Sequence, residues 1–237
     1  MKRPTTVLDG YDHEALLLLL AVHHPHARDI LDVTYNKGVM WRKTGLTPTK
    51  MDIDPSLPGL DLVGDFRAIP VPDASYDVVV FDPPHLPGDI GGSSAFNGLY
   101  NTATFTEGRE KDNVVGLFGP FLAEAKRVLR PGGVVLAKLA DLVHNHRYQW
   151  QQVDFVNAVR AAGLTPCDML IKRDPNAGKM NSSQWRTVKH LRKAHCYWIV
   201  VRHSKRCERK DGGENLAKFP PESCGGAGPG EAVRPVG

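Results

Sequence analysis

Short apolar runs bounded by polar residues recur along the chain, and each has the length of a single β-strand. Seven of them are interpreted as strands: "DILDV" (29–33), "TKMDI" (49–53), "DLVGD" (61–65), "YDVVVF" (76–81), "GVVLAKL" (133–139), "PCDMLIK" (166–172) and "HCYWIVV" (195–201). The unbroken apolar run at 78–81 is typical of a strand that is covered on both faces of a sheet. The pattern therefore predicts a central sheet with buried inner strands.

Helical patterns separate most of these runs. We expect helices at 12–22, 113–129 and 148–162, and a turn near 38–43. In the second helix, Leu122, Ala125 and Leu129 recur at near-helical spacing, and Pro-Gly-Gly at 131–133 is a strong end signal. Strands that alternate with helices predict an α/β fold with a mostly parallel sheet and helices on both faces. Only a polar segment, 173–194, lies between the last two strands, so we expect them to pair antiparallel.

The composition is that of a globular protein. The 237 residues are 41% hydrophobic and 24% charged, which fits one domain. The apolar run at 15–22 is flanked by Asp9, Asp12 and Glu14 and is too short to cross a bilayer, so we expect a buried helix. The four cysteines show no C-x-x-C pair, which favours reduced thiols and a cytoplasmic protein without a membrane partner.

The chain beyond residue 203 is rich in Gly and Pro and has few large apolar residues. Such a segment buries too little surface to offset the entropy lost on ordering. We therefore expect a folded domain over 1–203 and a disordered tail over 204–237.

Positive charge is concentrated in one part of the chain. Residues 172–210 hold twelve Lys or Arg and two acids, so this segment carries +10, and the net charge of +4 leaves −6 for the remainder. A solvated face would explain part of this asymmetry, but its size favours a polyanionic partner.

Acidic residues follow four consecutive predicted strands: Asp32, Asp52 with Asp54, Asp65 and Asp82. In an open parallel sheet, ligands bind beyond the carboxyl ends of the strands, where an acid can hold ribose hydroxyls. The sequence has neither a G-x-G-x-x-G loop nor a Walker A motif to hold phosphates. An acidic rim without that loop suits a nucleoside that carries no pyrophosphate, such as S-adenosylmethionine with its cationic sulfonium.

The order of these motifs resembles that of class I S-adenosylmethionine-dependent methyltransferases. The matching segments are 32–38, "MDIDP", "GDFRAIPVPDASYDVVVFDPP" and "AKRVLRPGGVVLAKLAD". The "DPPH" at 82–85 resembles the [D/N/S]-P-P-[aromatic] signature of amino-group methyltransferases. Together, "DVTYNKGVMWRK", "FDPPH", "LRPGG" and "HLRKAHCYWIVVR" resemble small phage and bacterial site-specific DNA methyltransferases. The resemblance covers roughly 12–203 and implies a seven-stranded Rossmann-like sheet with an antiparallel last strand.

The resemblance also implies S-adenosylmethionine as cofactor and a role for individual residues. Asp52 is expected to bind the ribose hydroxyls, and Asp65 with Phe66 to address the adenine. The methionine moiety is expected to border four residues of the first strand and its loop: Asp32, Thr34, Tyr35 and Gly38. The family usually has a glycine-rich loop here, from which "TYNKG" departs. Lys138 and Asp141 follow the fifth strand and are candidates for contact with the cofactor or the target. Alternatively, Lys138 extends from a strand edge toward water.

The chemistry of an exocyclic amine explains why the signature has these residue types. The nitrogen lone pair is delocalised into the ring, so acceptors beside its N–H groups favour the tetrahedral nitrogen that attacks a methyl carbon. Asp82 supplies a carboxylate, and Pro83 supplies a carbonyl without a competing N–H. Pro84 biases Pro83 toward an extended conformation. His85 takes the place of the usual aromatic residue, against which a flipped base would stack.

Two further segments are candidates for contact with nucleic acid. Residues 86–112 are too long and polar for a simple link, and their Phe96, Tyr100 and Phe105 are candidates either for stacking on bases or for packing on the core. The basic segment near the last hairpin is expected to contact phosphates through Lys172, Arg173, Lys179, Arg186, Lys189, Arg192 and Lys193. His190 and His195 lack the Cys or acid partners of a metal site, so no metal is expected.

Several functions remain open from the sequence. DNA amino-methylation is favoured, with adenine N6 ahead of cytosine N4 because Asp heads the motif. An RNA base amino-methyltransferase uses the same chemistry, and a catalytically silent relative could retain the fold as a nucleic-acid-binding protein. A nicotinamide oxidoreductase is disfavoured by the absence of the glycine fingerprint.

Overall fold

A computed structural model describes residues 5–83, 114–144, 147–173, 175 and 193–203. The helices in these ranges are α1 (Asp12–His23), α2 (Val114–Val128) and α3 (Gln151–Ala161), and a 3-10 turn spans Val39–Trp41. The first two agree with the expected helices to within one residue. The third begins three residues later than expected because a strand occupies its predicted start.

The strands, in chain order, are β1 (Val7–Asp9), β2 (Ile30–Asp32), β3 (Thr49–Asp52), β4 (Leu62–Val63), β5 (Tyr76–Phe81), β6 (Leu129–Leu139), β7 (Leu142–His144), β8 (Arg147–Gln149), β9 (Thr165–Arg173) and β10 (His195–Arg202). Within the described residues, the main sheet has eight strands in the order β1-β9-β10-β6-β5-β2-β3-β4, and β7 and β8 form a separate hairpin. The expected α/β architecture is confirmed, and the expected count of seven strands is wrong by one. The additional strand is β1.

Strand directions place many strand ends at one edge of the sheet. Strands β2 to β6 run parallel, and β10 is antiparallel to both β6 and β9. The expected antiparallel pairing of the last two strands is therefore confirmed, and β9 runs in the same direction as β6. The ends of β2 to β6, the end of β9 and the start of β10 consequently meet at one edge, which we call the carboxyl edge.

Two apolar layers enclose the sheet, and β5 contributes to both. Val79 and Phe81 pack on the side of α2 and α3, whereas Val78 and Val80 pack on the side of α1, and all four are fully buried. The ring of Phe81 stacks on that of Phe121 with centroids 3.7 Å apart. This two-sided burial accounts for the unbroken apolar run in the sequence.

The apolar face of α1 is buried against the sheet, as its sequence predicted. Ala15, Leu16, Leu19 and Leu20 are its buried residues. Among the helices that the structure describes, none combines the length and apolar character needed to cross a membrane. The expected loop at 86–112 and the expected tail at 204–237 lie outside the described residues.

Candidate active site

Asp32, the last residue of β2, organises the centre of the carboxyl edge from a buried position. Its carboxylate accepts hydrogen bonds from Trp41 Nε1 at 2.6 Å and from the Thr34 backbone N–H at 2.9 Å. Burial raises the pKa of Asp32 to about 7, against the lowering effect of these two hydrogen bonds, and the nearby carboxylates of Asp52 and Asp82 raise it further. Asp32 therefore fixes the loop after β2 from inside the protein.

Thr34 connects that loop to the Asp-Pro-Pro motif at the end of β5. Its Oγ1 accepts a hydrogen bond from the Asp82 backbone N–H at 2.8 Å and lies 3.4 Å from Asp32 Oδ1. The carboxyl ends of β2 and β5, adjacent parallel strands, are thereby tied together. Asp32, Thr34 and Asp82, all selected from the sequence, lie at one place in the fold.

The loop after β2 needs two residues with positive φ. Asn36 has φ 48° and Gly38 has φ 60°. A Cβ on Gly38 would lie 2.3 Å from the Tyr35 ring, so a side chain here would displace that ring as well as strain the backbone at positive φ. The turn is closed by the Gly38 N–H, which donates to the Tyr35 carbonyl at 2.8 Å. Tyr35 and Gly38 thus shape the loop by packing on each other.

Asp52, at the end of β3, holds the same loop from the neighbouring strand. Its two carboxylate oxygens accept the backbone N–H groups of Asn36 at 2.8 Å and Asp54 at 3.1 Å. Each oxygen keeps a further lone pair for a hydroxyl donor. Asp54 is buried and accepts the backbone N–H and the hydroxyl of Ser56, so its carboxylate shapes a turn.

Asp65 and Phe66 follow β4 and have different surroundings. The Asp65 carboxylate pairs with the guanidinium of Arg67, and its side chain is largely covered. The Phe66 ring is 3% exposed and packs edge-to-face on Phe81 and Phe121. The described geometry thus places the Phe66 ring in the core, and the expected contact of Asp65 and Phe66 with adenine stays a prediction.

The described part of the Asp-Pro-Pro-His motif consists of Asp82 and Pro83. Asp82 is half-buried at the carboxyl edge, and Pro83 is buried. The Asp82 carboxylate pairs with Lys138 Nζ, on the adjacent strand β6, at 2.9 Å. The candidate residues Pro84 and His85 lie outside the described residues, so their expected roles stay predictions.

Lys138 takes part in a longer row of alternating charges. Its Nζ also lies 3.1 Å from Asp12 Oδ2, and Lys172 Nζ lies 2.8 Å from Asp12 Oδ1. Although burial alone would lower the pKa of Lys138, the carboxylates of Asp82 and Asp12 outweigh it and raise that pKa. Of the two open interpretations of Lys138, the described geometry supports a place beside the candidate site.

The location of Lys172 corrects one expectation from the sequence. Lys172 is 6% exposed and pairs with Asp12 on the α1 side of the sheet. A buried ammonium in an ion pair is not available to a phosphate, so the expected contact of Lys172 with nucleic acid is not supported. Its place two residues after the buried Leu170, on the same face of β9, was the signal for burial.

Arg173 and Lys193 are two further described candidates of the basic segment, and both lie at the carboxyl edge. Arg173 is exposed, and its guanidinium donates to both carboxylate oxygens of Asp9. Lys193 Nζ lies 3.5 Å from the centroid of the Tyr148 ring. The other basic candidates, Lys179, Arg186, Lys189 and Arg192, lie outside the described residues. His195 bonds through Nε2 to the Tyr197 hydroxyl at 3.0 Å.

The β7–β8 hairpin, absent from the sequence prediction, brings aromatic residues to the same edge. Asp141, 3% exposed, accepts the Tyr148 hydroxyl at 2.9 Å. Burial, together with this carboxylate, raises the pKa of Tyr148 to about 12. The exposed Trp150 lies against Tyr148 with ring centroids 4.3 Å apart. The aromatic pair at 148 and 150 was the available signal for this surface.

Comparisons with known proteins find similarity to solved structures at low sequence identity. No protein-family model matches the sequence, and a search of curated proteins finds no significant match. A protein from Thermus thermophilus, to which a DNA modification methylase activity is attributed, is 18% identical with a TM-score of 0.38. The alignment covers 65% of this chain and 54% of that chain, so this chain spans about half of the Thermus protein.

Two other solved structures cover more of the chain. The 1,6-didemethyltoxoflavin-N1-methyltransferase of Burkholderia thailandensis, solved with S-adenosylhomocysteine, is 14% identical with a TM-score of 0.49, over 82% of this chain and 79% of that chain. A Haloferax volcanii protein named as a methyltransferase, in complex with the activator Trm112, is 20% identical with a TM-score of 0.49, over 81% and 88%. Because these TM-scores are below 0.5, we base the functional proposal on the chain's own topology and side chains.

Proposed function

We propose that this chain transfers a methyl group from S-adenosylmethionine to the exocyclic amine of a base in DNA, with adenine N6 favoured over cytosine N4. The observation that carries the proposal is the hydrogen bond from the Asp82 N–H to Thr34 Oγ1. It joins the motif proposed to hold the amine to the loop proposed to hold the cofactor. Direct transfer requires that the methyl donor and the acceptor amine be held side by side, which neighbouring binding segments allow.

The side chains at the carboxyl edge suit this cofactor by their charge and hydrogen-bonding capacity. When bound, S-adenosylmethionine supplies an electrophilic methyl carbon on a cationic sulfonium. Asp52 offers carboxylate lone pairs for ribose hydroxyls, and the loop from Thr34 to Gly38 would border the methionine moiety. The acidic edge favours a cation and would repel a phosphate, in keeping with the missing phosphate-binding loop.

Asp82 and Pro83 would act on the target amine. The Asp82 carboxylate accepts one amine N–H and the Pro83 carbonyl accepts the other, so the nitrogen lone pair turns toward the methyl carbon. These acceptors stabilise the positive charge that develops on the nitrogen during transfer. His85 would stack on the flipped base, as the resemblance implies.

DNA is the proposed substrate because the part of the basic segment between β9 and β10 leaves from and returns to the carboxyl edge. Strand β9 ends there at Arg173, and β10 begins there at His195. The basic candidates between these strands, Lys179, Arg186, Lys189 and Arg192, would contact phosphates and position the duplex without reading its sequence. Lys193 and the exposed Trp150 extend this surface. RNA offers the same phosphates and amines and is the alternative substrate.

The test is methyl transfer from radiolabelled S-adenosylmethionine to separate DNA and RNA substrates, followed by nucleoside analysis. We expect label in N6-methyladenine from DNA. Asp82→Ala should lower kcat by about 10²–10³, since one preorganised polar partner at the reacting nitrogen is lost. Asp82→Asn keeps one acceptor oxygen and should retain more activity.

Calorimetry with the cofactor separates loss of catalysis from loss of folding. The Asp82→Ala protein should bind S-adenosylmethionine with nearly wild-type affinity. Label found in RNA alone would show that RNA, not DNA, is the substrate. Label found in N4-methylcytosine would show that the target is cytosine N4 instead of adenine N6. A wild-type protein that transfers label to neither polymer would favour the catalytically silent relative.

A further inference from the structure

The sheet face beneath α1 changes from apolar to charged at the carboxyl edge. Val80, Leu136 and Leu170 are buried on this face, and two residues further along each strand stand Asp82, Lys138 and Lys172. Asp12, the first residue of α1, completes the set. We call these four side chains the charged row: Asp82, Lys138, Asp12 and Lys172.

The charged row is continuous and largely shielded from water. Lys138 Nζ lies 2.9 Å from Asp82 and 3.1 Å from Asp12, and Lys172 Nζ lies 2.8 Å from Asp12. No side chain of the row is more than 26% exposed, and the side chain of Lys172 is 8% exposed. Charges at this depth are costly unless each has a partner, and the alternation of sign gives every member one.

We propose that Lys138 is a positioning residue, which orients the Asp82 carboxylate toward the target amine and keeps it ionised, and that Asp12 fixes Lys138 in turn. This inference rests on the proposed function, in which Asp82 accepts the amine N–H. It adds residues from α1 and β6 to a site that the sequence motif confines to the end of β5. Lys138 does not contact the reacting atoms and acts through Asp82.

Two contacts restrain Asp82 from different directions. Its backbone N–H is held by Thr34 Oγ1, and its Oδ2 is held by Lys138 Nζ. A carboxylate with one oxygen fixed presents its remaining lone pairs in a defined direction, and such preorganisation is what an acceptor for a developing charge requires. Rotation of the Asp82 side chain would break the Lys138 contact.

The surroundings of Asp82 make a cation necessary. Asp32 lies on the adjacent strand β2 and Asp52 on the next strand, β3, and the carboxylates of Asp52 and Asp82 help to raise the pKa of Asp32. On the α1 face, Asp12 adds a further negative charge, Lys172 balances it, and burial raises the pKa of the Cys196 thiol to about 11. Lys138 supplies a cation in direct contact with the Asp82 carboxylate. Without it, Asp82 would take up a proton more readily, and a protonated oxygen donates rather than accepts.

The pairing also explains why Lys138 keeps its own charge. Burial favours the neutral amine, but Asp82 and Asp12 outweigh this and raise its pKa. Asp12 has a lowered pKa, although burial alone would raise it, because Lys138 and Lys172 stabilise its carboxylate. As the first residue of α1, Asp12 also lies where the helix dipole favours an anion. Asp12 can thus hold Lys138 in place as an ion.

The experiment compares Lys138→Met, Lys138→Arg and the matched control Lys172→Met in methyl transfer over a range of pH. Lys138→Met should lower kcat about 10- to 100-fold, because Asp82 loses its orientation. The acid limb of its kcat profile should move upward by about one pH unit or more, because an opposite charge has left the carboxylate. Calorimetry should find cofactor affinity within about threefold of the wild type. Lys138→Arg keeps the positive charge, so its acid limb should return to the wild-type pH and part of kcat should be recovered.

Lys172→Met removes a buried lysine from the same partner, Asp12, without touching Asp82. It should lower stability as Lys138→Met does, but its acid limb should stay at the wild-type pH. An unmoved acid limb in Lys138→Met, or an equal movement in Lys172→Met, would overturn the positioning role. If Lys138→Met does not fold, Lys138→Gln takes its place, since it removes the charge but keeps a polar side chain, and an acid limb at the wild-type pH in that variant would overturn the positioning role.

A double-mutant cycle gives a readout that does not depend on activity. Urea denaturation of Lys138→Met, Asp82→Asn and the double variant measures how strongly the two side chains are coupled in the folded protein. We expect non-additive losses, and additive losses would contradict the ion pair itself. A wild-type protein without transferase activity would end the proposed function, whereas an active wild type with an equally active Lys138→Met would end only this inference.

Discussion

Asp32 combines burial, a hydrogen bond from Trp41 and the negative field of two further carboxylates. Its pKa of about 7, against an ordinary value of 3.8, means that the folded protein holds a proton that the unfolded chain has already released. Between these two pH values the folded state binds more protons than the unfolded state. The free energy of unfolding must therefore fall as pH rises through this window and change no further from this group above about pH 7.

The first prediction concerns a variant that cannot titrate at position 32. Asp32→Asn keeps a side-chain acceptor for Trp41 or Thr34 but cannot ionise. Between about pH 5 and pH 7, Asp32 should contribute a loss of about 1.4 kcal/mol per pH unit to the wild-type protein, and the variant should lack this slope. The measurement is urea denaturation at several pH values, compared as the difference between the two proteins.

Asp77 provides the matched control, because its pKa is displaced in the opposite direction. Burial alone would raise that pKa, but the N–H groups of Arg28 and Asp29 and the guanidinium of Arg130 lower it to about 2. Its stabilising contribution is complete above about pH 4 and is lost only as pH falls toward 2. Asp77→Asn should therefore lower stability by a constant amount between pH 5 and about pH 7. A parallel slope in wild type and Asp32→Asn would show that Asp32 does not titrate in this window.

At the scale of elements, Arg127 holds the segment between β4 and β5 against α2. Its guanidinium donates to the backbone carbonyls of Ile69 and Val71, both at 2.8 Å, and to the carboxylates of Glu124 and Asp73. Glu124 also accepts the Ile69 N–H at 2.8 Å. One helix side chain thereby satisfies backbone groups that no strand partner reaches, and it fixes the chain that leads into β5.

The second prediction follows from these bonds. Arg127→Met keeps the aliphatic stem and removes the guanidinium from two backbone carbonyls and two carboxylates. The free energy of unfolding should fall by about 3 kcal/mol, the order expected for lost hydrogen bonds to a charged group. Lys126→Met is the control on the same helix turn, where an exposed ammonium donates to the Ala162 carbonyl at 3.0 Å. Equal losses in the two variants would contradict the proposed clamp.

The sequence predicted those elements whose signals are local. Strand β5 was predicted at its observed bounds because four consecutive buried residues and a terminal Asp-Pro require no knowledge of a partner strand. Strand β1 could not be predicted in this way. Its three residues pair with β9, where Val7 lies opposite Ile171, and Val7 is 53% exposed at the sheet edge. A strand whose position depends on a partner distant in sequence shows little hydrophobic periodicity of its own.

In the candidate site, too, only the residues with local sequence signals could be predicted. The acids at the ends of β2 to β5 were found because strand ends in a parallel sheet meet at one edge. The charged row was not found, since Lys138 on a strand and Asp12 at a helix start each have an ordinary local explanation. Their pairing depends on the register of β6 beside β5 and on where α1 begins over the sheet. The register between strands distant in sequence cannot be inferred from a single sequence.

At the scale of the whole molecule, acids and the ends of the basic connection share the carboxyl edge. The acids at the ends of β2 to β5 lie there, and the chain that carries the basic candidates leaves β9 at Arg173 and enters β10 at His195 on the same edge. A cationic cofactor and a polyanionic substrate would therefore be drawn to neighbouring parts of one edge. Such a separation favours orientation of the duplex during encounter and makes binding dependent on salt.

The third prediction concerns this basic part of the edge. Replacement of Lys189, Arg192 and Lys193 by Ala should weaken binding to a DNA duplex, because fewer phosphates are neutralised and fewer counterions released. The slope of log K against log salt should decrease in magnitude by up to about three. Binding would be followed by fluorescence anisotropy of a labelled duplex over a series of salt concentrations.

The matched control removes three positive charges from the opposite edge of the sheet. Arg28 precedes β2, Lys126 lies near the end of α2 before β6, and Arg160 lies near the end of α3 before β9; all three are exposed. Their replacement by Ala gives the same net charge as the first triple variant. If binding responds only to net charge, the two variants will have the same slope. We expect the slope to fall in the first variant alone, because counterions are released only where the side chains lie against phosphates.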